Sequence, residues 1–217
     1  MGRALLRLGF SPNKTISAKP TLNRYWDPHL ARRCVKLNPG EQYLSTTGEM
    51  LVTVAGSTCV LCLRDPQEGL IAMLNFSLPT DYLSQLDQKG QSHARHYGLT
   101  QLDTLFENLR VQGADLETIE ATLVGGAVQN KDQRICVQDT LDFTRRYLAQ
   151  HGIKVTAEFI GTAHPKKVYF GLDDLGPQVR VLKEVSNTVS NREKRYSTDL
   201  QARWLLGHRK TSMQFSA

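Results

Sequence analysis

A chain of 217 residues with 40% hydrophobic and 22% charged side chains is long enough for one domain with a closed core. No apolar run reaches the ~20 residues that span a bilayer. Arg7 interrupts the opening "MGRALLRLGF", so a secretory leader is not expected and the chain reads as cytoplasmic. The net charge of +6 is lopsided: residues 1–33 carry +6 and residues 186–217 carry +4, which leaves the middle mildly acidic. Basic flanks favour anionic partners. The C-terminal flank lacks the aromatic spacing of a nucleic-acid module, and nucleic acid is not the expected partner. Residues 1–23 read as a basic arm and residues 186–217 as a basic, solvated tail, within which "LQARWLLG" is a short candidate docking helix.

Between the flanks, residues 24–185 read as one domain. "PGEQYLSTTGEMLVTVAGSTCVLCLRD" carries β-branched and apolar residues between turn signals and predicts strands joined through Gly48. "LIAMLNFSLP" is a further strand ended by Pro79, and residues 80–95 are polar and loop-like. Leu99, Leu102, Leu105, Phe106 and Leu109 fall at helical spacing, with Gly113 as the stop. "LETIEATLVGGAV" predicts a strand. "DTLDFTRRYLAQHGI" predicts a second helix, with Leu141, Thr144 and Leu148 on one face and Gly152 at its end. "KVTAEFIG" alternates, placing Val155, Ala157 and Phe159 together, and "KKVYFGLDD" with "QVRVLKEV" forms a closing hairpin. This order predicts an α/β fold: a single-domain layered sandwich, with a mixed sheet and two main helices.

Four cysteines, Cys34, Cys59, Cys62 and Cys136, are too few for a disulfide framework in a chain of this length. Cys59-Val-Leu-Cys62 is a C-x-x-C. On a strand an offset of three sends the two thiols to opposite faces, where they can neither share a metal nor close a bond. "VGGAV" lacks the lysine of a phosphate loop. The six histidines form no ligand pattern, and His93 and His96 fall on the polar stretch. No cofactor and no metal is expected.

"TVAGSTCVLCLRDPQEGLIAMLNFSLP", residues 53–79, resembles the core motif of the chemoreceptor glutamine deamidases, the CheD family: T-V-L-G-S-C-V-A-A-C-I-R-D-P, a short turn, then G-G-M-N-H-F-M-L-P. "RYWDPH" and "NPGEQYLS" resemble the family's R-Y-x-D-P and P-G-E-Y-Y-V. "HYGLTQLDTLFENLRVQGA" resembles its helix ending in Gly-Ala, "LVGGAV" its F-G-G-A strand, and "FTRRYLAQHGIKV" its next helix and strand. The similarity runs in order over about residues 24–184. It implies the family's layered α/β fold and its activity, conversion of glutamine to glutamate on methyl-accepting chemotaxis receptors. It also implies a chemotaxis phosphatase as a further partner. In the family a cysteine thiolate attacks the amide, a histidine moves the protons, and a threonine orients the histidine.

Aligned without gaps, the orienting threonine falls on Thr53, the nucleophile on Thr58 and the base on Asn75. Cys59 lands one place late. It becomes the alternative nucleophile only through two compensating shifts, and one step along a strand turns a side chain to the other face. The chemistry needs a base, because a free thiol ionises near 8.5 and an amide nitrogen leaves only when protonated. An amide at position 75 cannot take a proton. Two readings stand: an amidohydrolase working through Thr58 or Cys59, the latter served by His93 or His96, or a catalytically silent module that still binds receptor or phosphatase. Nucleic-acid binding through the flanks is a weaker third.

Overall fold

In a computed structural model the described residues are 22–79, 93–128, 131–173, 175–184 and 187–213. Residues 1–21 of the arm and residues 80–92 of the polar stretch lie outside them. The elements run β1 (Asn23–Asp27), β2 (Arg32–Leu37), β3 (Gln42–Ser45), β4 (Met50–Ala55), β5 (Cys59–Asp65), β6 (Leu70–Phe76), α1 (His93–Val111), β7 (Glu120–Gly125), α2 (Lys131–Gln150), β8 (Lys154–Phe159), β9 (Lys166–Phe170), β10 (Gln178–Val181) and α3 (Asn187–Met213).

The strands divide into two five-stranded sheets rather than one. The first has the order β1-β2-β4-β9-β10 and the second β3-β6-β5-β7-β8. Each is mixed, through the parallel pairs β2–β4 and β7–β8. The layered α/β class expected from the sequence holds, with a second sheet and a third helix added. Burial follows the pleat. Leu61 and Leu63 of β5, and Ala72, Leu74 and Phe76 of β6, pack under Leu102, Phe106, Leu141 and Leu148 of the helices. The alternate residues Val60, Cys62, Ile71 and Met73 meet Val35, Leu51, Val168 and Phe170 of the other sheet. Covering both faces explains why every residue of β6 is buried and why its sequence reads as a continuous apolar run.

Several local expectations are met. Gly113 and Gly152 end α1 and α2 with φ of 86° and 71°, the left-handed turn a Cβ opposes. Leu141, Thr144 and Leu148 are all buried on α2. β9 and β10 pair antiparallel, from Tyr169 opposite Gln178 to Lys166 opposite Val181.

Three expectations are corrected. The polar stretch ends earlier than expected, because α1 already begins at His93. β8 does not alternate cleanly: the register slips beside Ala121, so Val155 faces Ala121 while Ala157 faces Thr122. That bulge turns Phe159 away from the Val155 face and leaves it 40% exposed. Finally, the tail expected to be solvated folds as α3. Val189, Glu193, Tyr196 and Leu200 form its partly or fully buried stripe, at the i, i+4, i+7, i+11 spacing of one helix face.

Candidate functional site

β4 belongs to the first sheet and β5 to the second, so residues 56–58 cross between layers. Three contacts fix this turn. Ala127 N donates to Gly56 O at 2.8 Å. Gly125, at φ 140°, lies against the Thr58 carbonyl so closely that a Cβ there would collide with it. Lys166, itself buried, donates from Nζ to Gly125 O at 3.1 Å. Burial pushes the Lys166 ammonium down from its usual range. The glycines of "LVGGAV" thus brace the turn; they do not cradle phosphate.

The turn presents two backbone donors and a hydroxyl. Gly56 N donates to Glu193 Oε1 at 2.8 Å, Ser57 N to Glu193 Oε2 at 2.9 Å, and Ser57 Oγ to the same Oε2 at 2.9 Å. A side-chain carboxylate carried on α3 is therefore clasped by the loop. Beside it lies a cavity of about 240 Å³ whose walls include Ser57, Thr58, Leu78, Cys136, Tyr196 and Leu200. The Tyr196 hydroxyl sits 2.8 Å from that of Tyr97 and donates to Ser77 O at 3.3 Å. Its ring presses on Gly40, where a Cβ would come within 2.6 Å of Cε2.

Thr53 and Asn75, separated by 22 residues, meet in the layer between the sheets. Asn75 Nδ2 donates to Thr53 Oγ1 at 2.7 Å and to Val54 O at 3.3 Å. Thr53 spends its own proton on Leu37 O, 2.8 Å away, so it can only accept from Asn75. This fixes the amide with its nitrogen inward. Asn75 Oδ1 is buried without a hydrogen-bond partner, and so is Thr58 Oγ1. Asn75 lies opposite Val60 in the β5–β6 register. Carrying the alternation of β5 back from Val60 puts Thr58 on that same face, as a diagonal neighbour of Asn75. Thr58 lines the cavity, and Asn75 is not among the residues that do.

Cys59 faces the other way. It packs with Phe76, Leu102 and Leu141 in the helix-side core. Its thiol, hydrogen-bonded to Thr144, is pushed up to about 12 by burial. Cys62 lies in the opposite, inter-sheet cluster, so the two thiols of the C-x-x-C diverge as their spacing predicts. His96 is exposed on α1, and the side chain of His93 lies outside the described residues. One residue out of phase on the strand, this sulfur lies in the helix-side core and not in the cleft.

The residue that sequence reasoning missed is Glu193. Its signal was present as the 189/193/196/200 stripe, obscured because the surrounding segment is polar and its most apolar piece, "RWLL", lies further on. Among the described residues no group of three or more histidine, cysteine or carboxylate side chains is placed to hold a metal ion.

Fold and cleft together define a layered α/β protein with a braced inter-sheet turn as its polar focus. The family model described as CheD chemotactic sensory transduction matches residues 77–181. A probable chemoreceptor glutamine deamidase CheD of Herminiimonas arsenicoxydans is 33% identical over 193 residues, 85% of this chain and 92% of that protein. A probable chemoreceptor glutamine deamidase CheD 1 of Shewanella oneidensis is 32% identical, covering 80% of this chain and 85% of its own. The chain belongs to the CheD family. A Burkholderia orbicola relative, also a probable chemoreceptor glutamine deamidase CheD, is 39% identical over 158 residues, 71% of this chain and 63% of its own length. The chain thus spans about three fifths of that relative. Among solved structures, the Bacillus licheniformis hypothetical protein YfiH overlaps 56% of this chain and 50% of its own at TM-score 0.37 and 12% identity.

Proposed function

We propose that this chain acts on methyl-accepting chemotaxis receptors: it takes a helix-borne glutamine side chain at the Gly56–Thr58 turn and converts it, slowly, to glutamate. One observation carries the reading. The turn already clasps a helix-borne side chain of the product type, the Glu193 carboxylate, with both backbone N–H groups and the Ser57 hydroxyl. A glutamine carbonyl oxygen in the place of Oε2 meets the Ser57 N–H and the Ser57 hydroxyl. They would stabilise the oxyanion of a tetrahedral adduct, each donor by about 3 kcal/mol.

In the hydrolysis Thr58 Oγ1 adds to the amide carbon, and its proton must reach the departing nitrogen for ammonia to leave. Water then cleaves the resulting ester, returns a proton to Thr58 and releases the glutamate. Asn75 Oδ1, an amide oxygen, cannot carry the proton of the attacking hydroxyl. Loss of base assistance lowers the rate by about 10²–10⁴. A second reading, receptor or phosphatase binding with no conversion, rests on the same amide: its nitrogen is fixed by Thr53 and Val54, so no proton carrier stands at position 75. A chain that acts on the cytoplasmic part of these receptors works in the cytoplasm. Among the described residues no helix is long and apolar enough to cross a membrane.

The test incubates the full chain with receptor cytoplasmic fragments and follows ammonia release and the glutamine-to-glutamate mass shift. Slow conversion that Thr58→Ala abolishes and Cys59→Ala leaves intact is the expected result. Receptor capture with no conversion carries the second reading, and neither capture nor conversion removes both.

A further inference from the structure

Resting on the reading of this turn as a receptor site, we propose that α3 is a tethered stand-in for a receptor helix: it fills the docking cleft with Glu193 held as the product carboxylate would be, and a receptor helix binds only by displacing it.

The contacts are those of an occupied site. Glu193 makes three hydrogen bonds to consecutive turn residues, at 2.8–2.9 Å. The Glu193 carboxylate sits directly against Gly56, where a Cβ would push it aside. The charge pattern runs against a solvated role for this acid. Arg192, Lys194 and Arg195 around it are exposed, while the single acid among them turns inward. Its carboxylate is spent on backbone N–H groups, which can equally receive a ligand oxygen.

The remaining docked residues bound the same cleft. Tyr196 and Leu200 lie along the cavity that Thr58 lines. Tyr196 also reaches Ser77, directly beyond the end of β6. Val189 and Glu193 border the shallower hollows on the Gly56 and Val54 sides. One helix face thus covers the nucleophile position, the N–H pair and the cavity together. A free helix of similar chemistry must compete with a tethered one. Its apparent affinity is that for the open cleft multiplied by the fraction of chains in which α3 has lifted away.

The test uses the full-length chain, Glu193→Ala and Glu193→Gln, each checked for a cooperative melt, with a receptor cytoplasmic fragment as probe. Affinity is read by titration calorimetry and the Gly56 and Ser57 amides by hydrogen exchange. Glu193→Ala is expected to speed exchange at both amides and to tighten fragment binding by about tenfold or more, with Glu193→Gln in between. Adding the fragment to the unmodified chain is expected to speed exchange along α3 while the two amides stay protected, as one occupant replaces another. If Glu193→Ala does not fold, Leu200→Ala weakens α3 docking without touching the N–H pair and is expected to raise affinity in the same direction. Fragment binding that stays equal or weakens in these variants overturns the proposal and makes Glu193 a structural brace, with the receptor reading intact. A fragment that binds none of the chains, variants included, removes the receptor reading and this proposal with it.

Discussion

Thr58 and Cys59 are consecutive, almost equally buried and of similar size, yet they belong to different parts of the molecule. Thr58 sits where the inter-sheet polar layer opens into a cleft, beside backbone donors and with its hydroxyl unpaired. Cys59 lies in the apolar layer beneath α1 and α2, where burial outweighs the Thr144 hydrogen bond and the Arg145 charge and disfavours its ionised form. A single step along a strand separates a position that can meet a ligand from one that can only pack. Chemical reactivity in this fold is assigned by direction before residue type: the better nucleophile of the two is the one that points away.

The comparison breaks most visibly if reactivity can be restored on the Thr58 face. Thr58→Cys with Asn75→His places a thiol and an imidazole there, with Thr53 positioned to accept from the ring. Receptor deamidation is expected to rise by about 10²–10⁴ over the unmodified chain, with either single change giving far less. A double variant no faster than the parent would break the assignment of faces. Next in size, Gly125→Ala drives a Cβ into the Thr58 carbonyl at a φ that only glycine accepts readily. It is expected to cost about 3 kcal/mol or more in urea unfolding, and to abolish receptor capture through the displaced turn.

Smaller effects sharpen the contrast. Cys59→Ala is expected to cost about 1 kcal/mol of stability and to leave receptor conversion unchanged, since it removes one core sulfur and no cleft atom. The same substitution has a signature in pH. The folded Cys59 thiol keeps its proton up to about 12, whereas an ordinary thiol near 9 has already lost it. Above pH 9 the unfolded chain therefore binds fewer protons than the folded one, and this thiol makes stability fall as pH rises, by about 1.4 kcal/mol per unit toward pH 12. Below pH 9 it contributes no slope. Urea titrations between pH 9 and 11 are expected to show a shallower decline in Cys59→Ala. Least in amplitude, Glu193→Gln places a glutamine in the turn's own clasp. Any turnover by Thr58 is expected to convert it back to glutamate in a single event per chain, visible as a slow mass change in the purified protein and absent from the variant that also carries Thr58→Ala.

Much of this architecture was legible in the residues. The 3.6-residue spacing of Leu102, Leu105, Phe106 and Leu109 announced α1, and the hairpin of β9 and β10 followed from two β-rich runs around Gly171 and Pro177. The opposite fates of Cys59 and Cys62 followed from strand geometry alone. The division into two sheets was not legible, because an apolar run says that both faces are covered without saying by what. The β8 bulge escaped because one extra residue leaves the alternating pattern intact on paper. At the site, the Thr53–Asn75 pairing was legible only through family resemblance, since 22 residues separate the partners. Of α3 only "LQARWLLG" was marked as a candidate docking helix; the rest escaped because its docked face carries a carboxylate and a tyrosine, which composition assigns to solvent. Only the donors waiting at Gly56 and Ser57 make that acid a contact residue.

The codons for glutamate and glutamine differ by a single base at their first position. At residue 193 that base decides whether the helix over the cleft carries a finished product or something still to be processed. With glutamate the cover survives any chemistry beneath it and can open and close through the life of the chain. A glutamine there would let each newly made molecule spend its first event on itself, an internal clock that runs once and leaves the present residue behind.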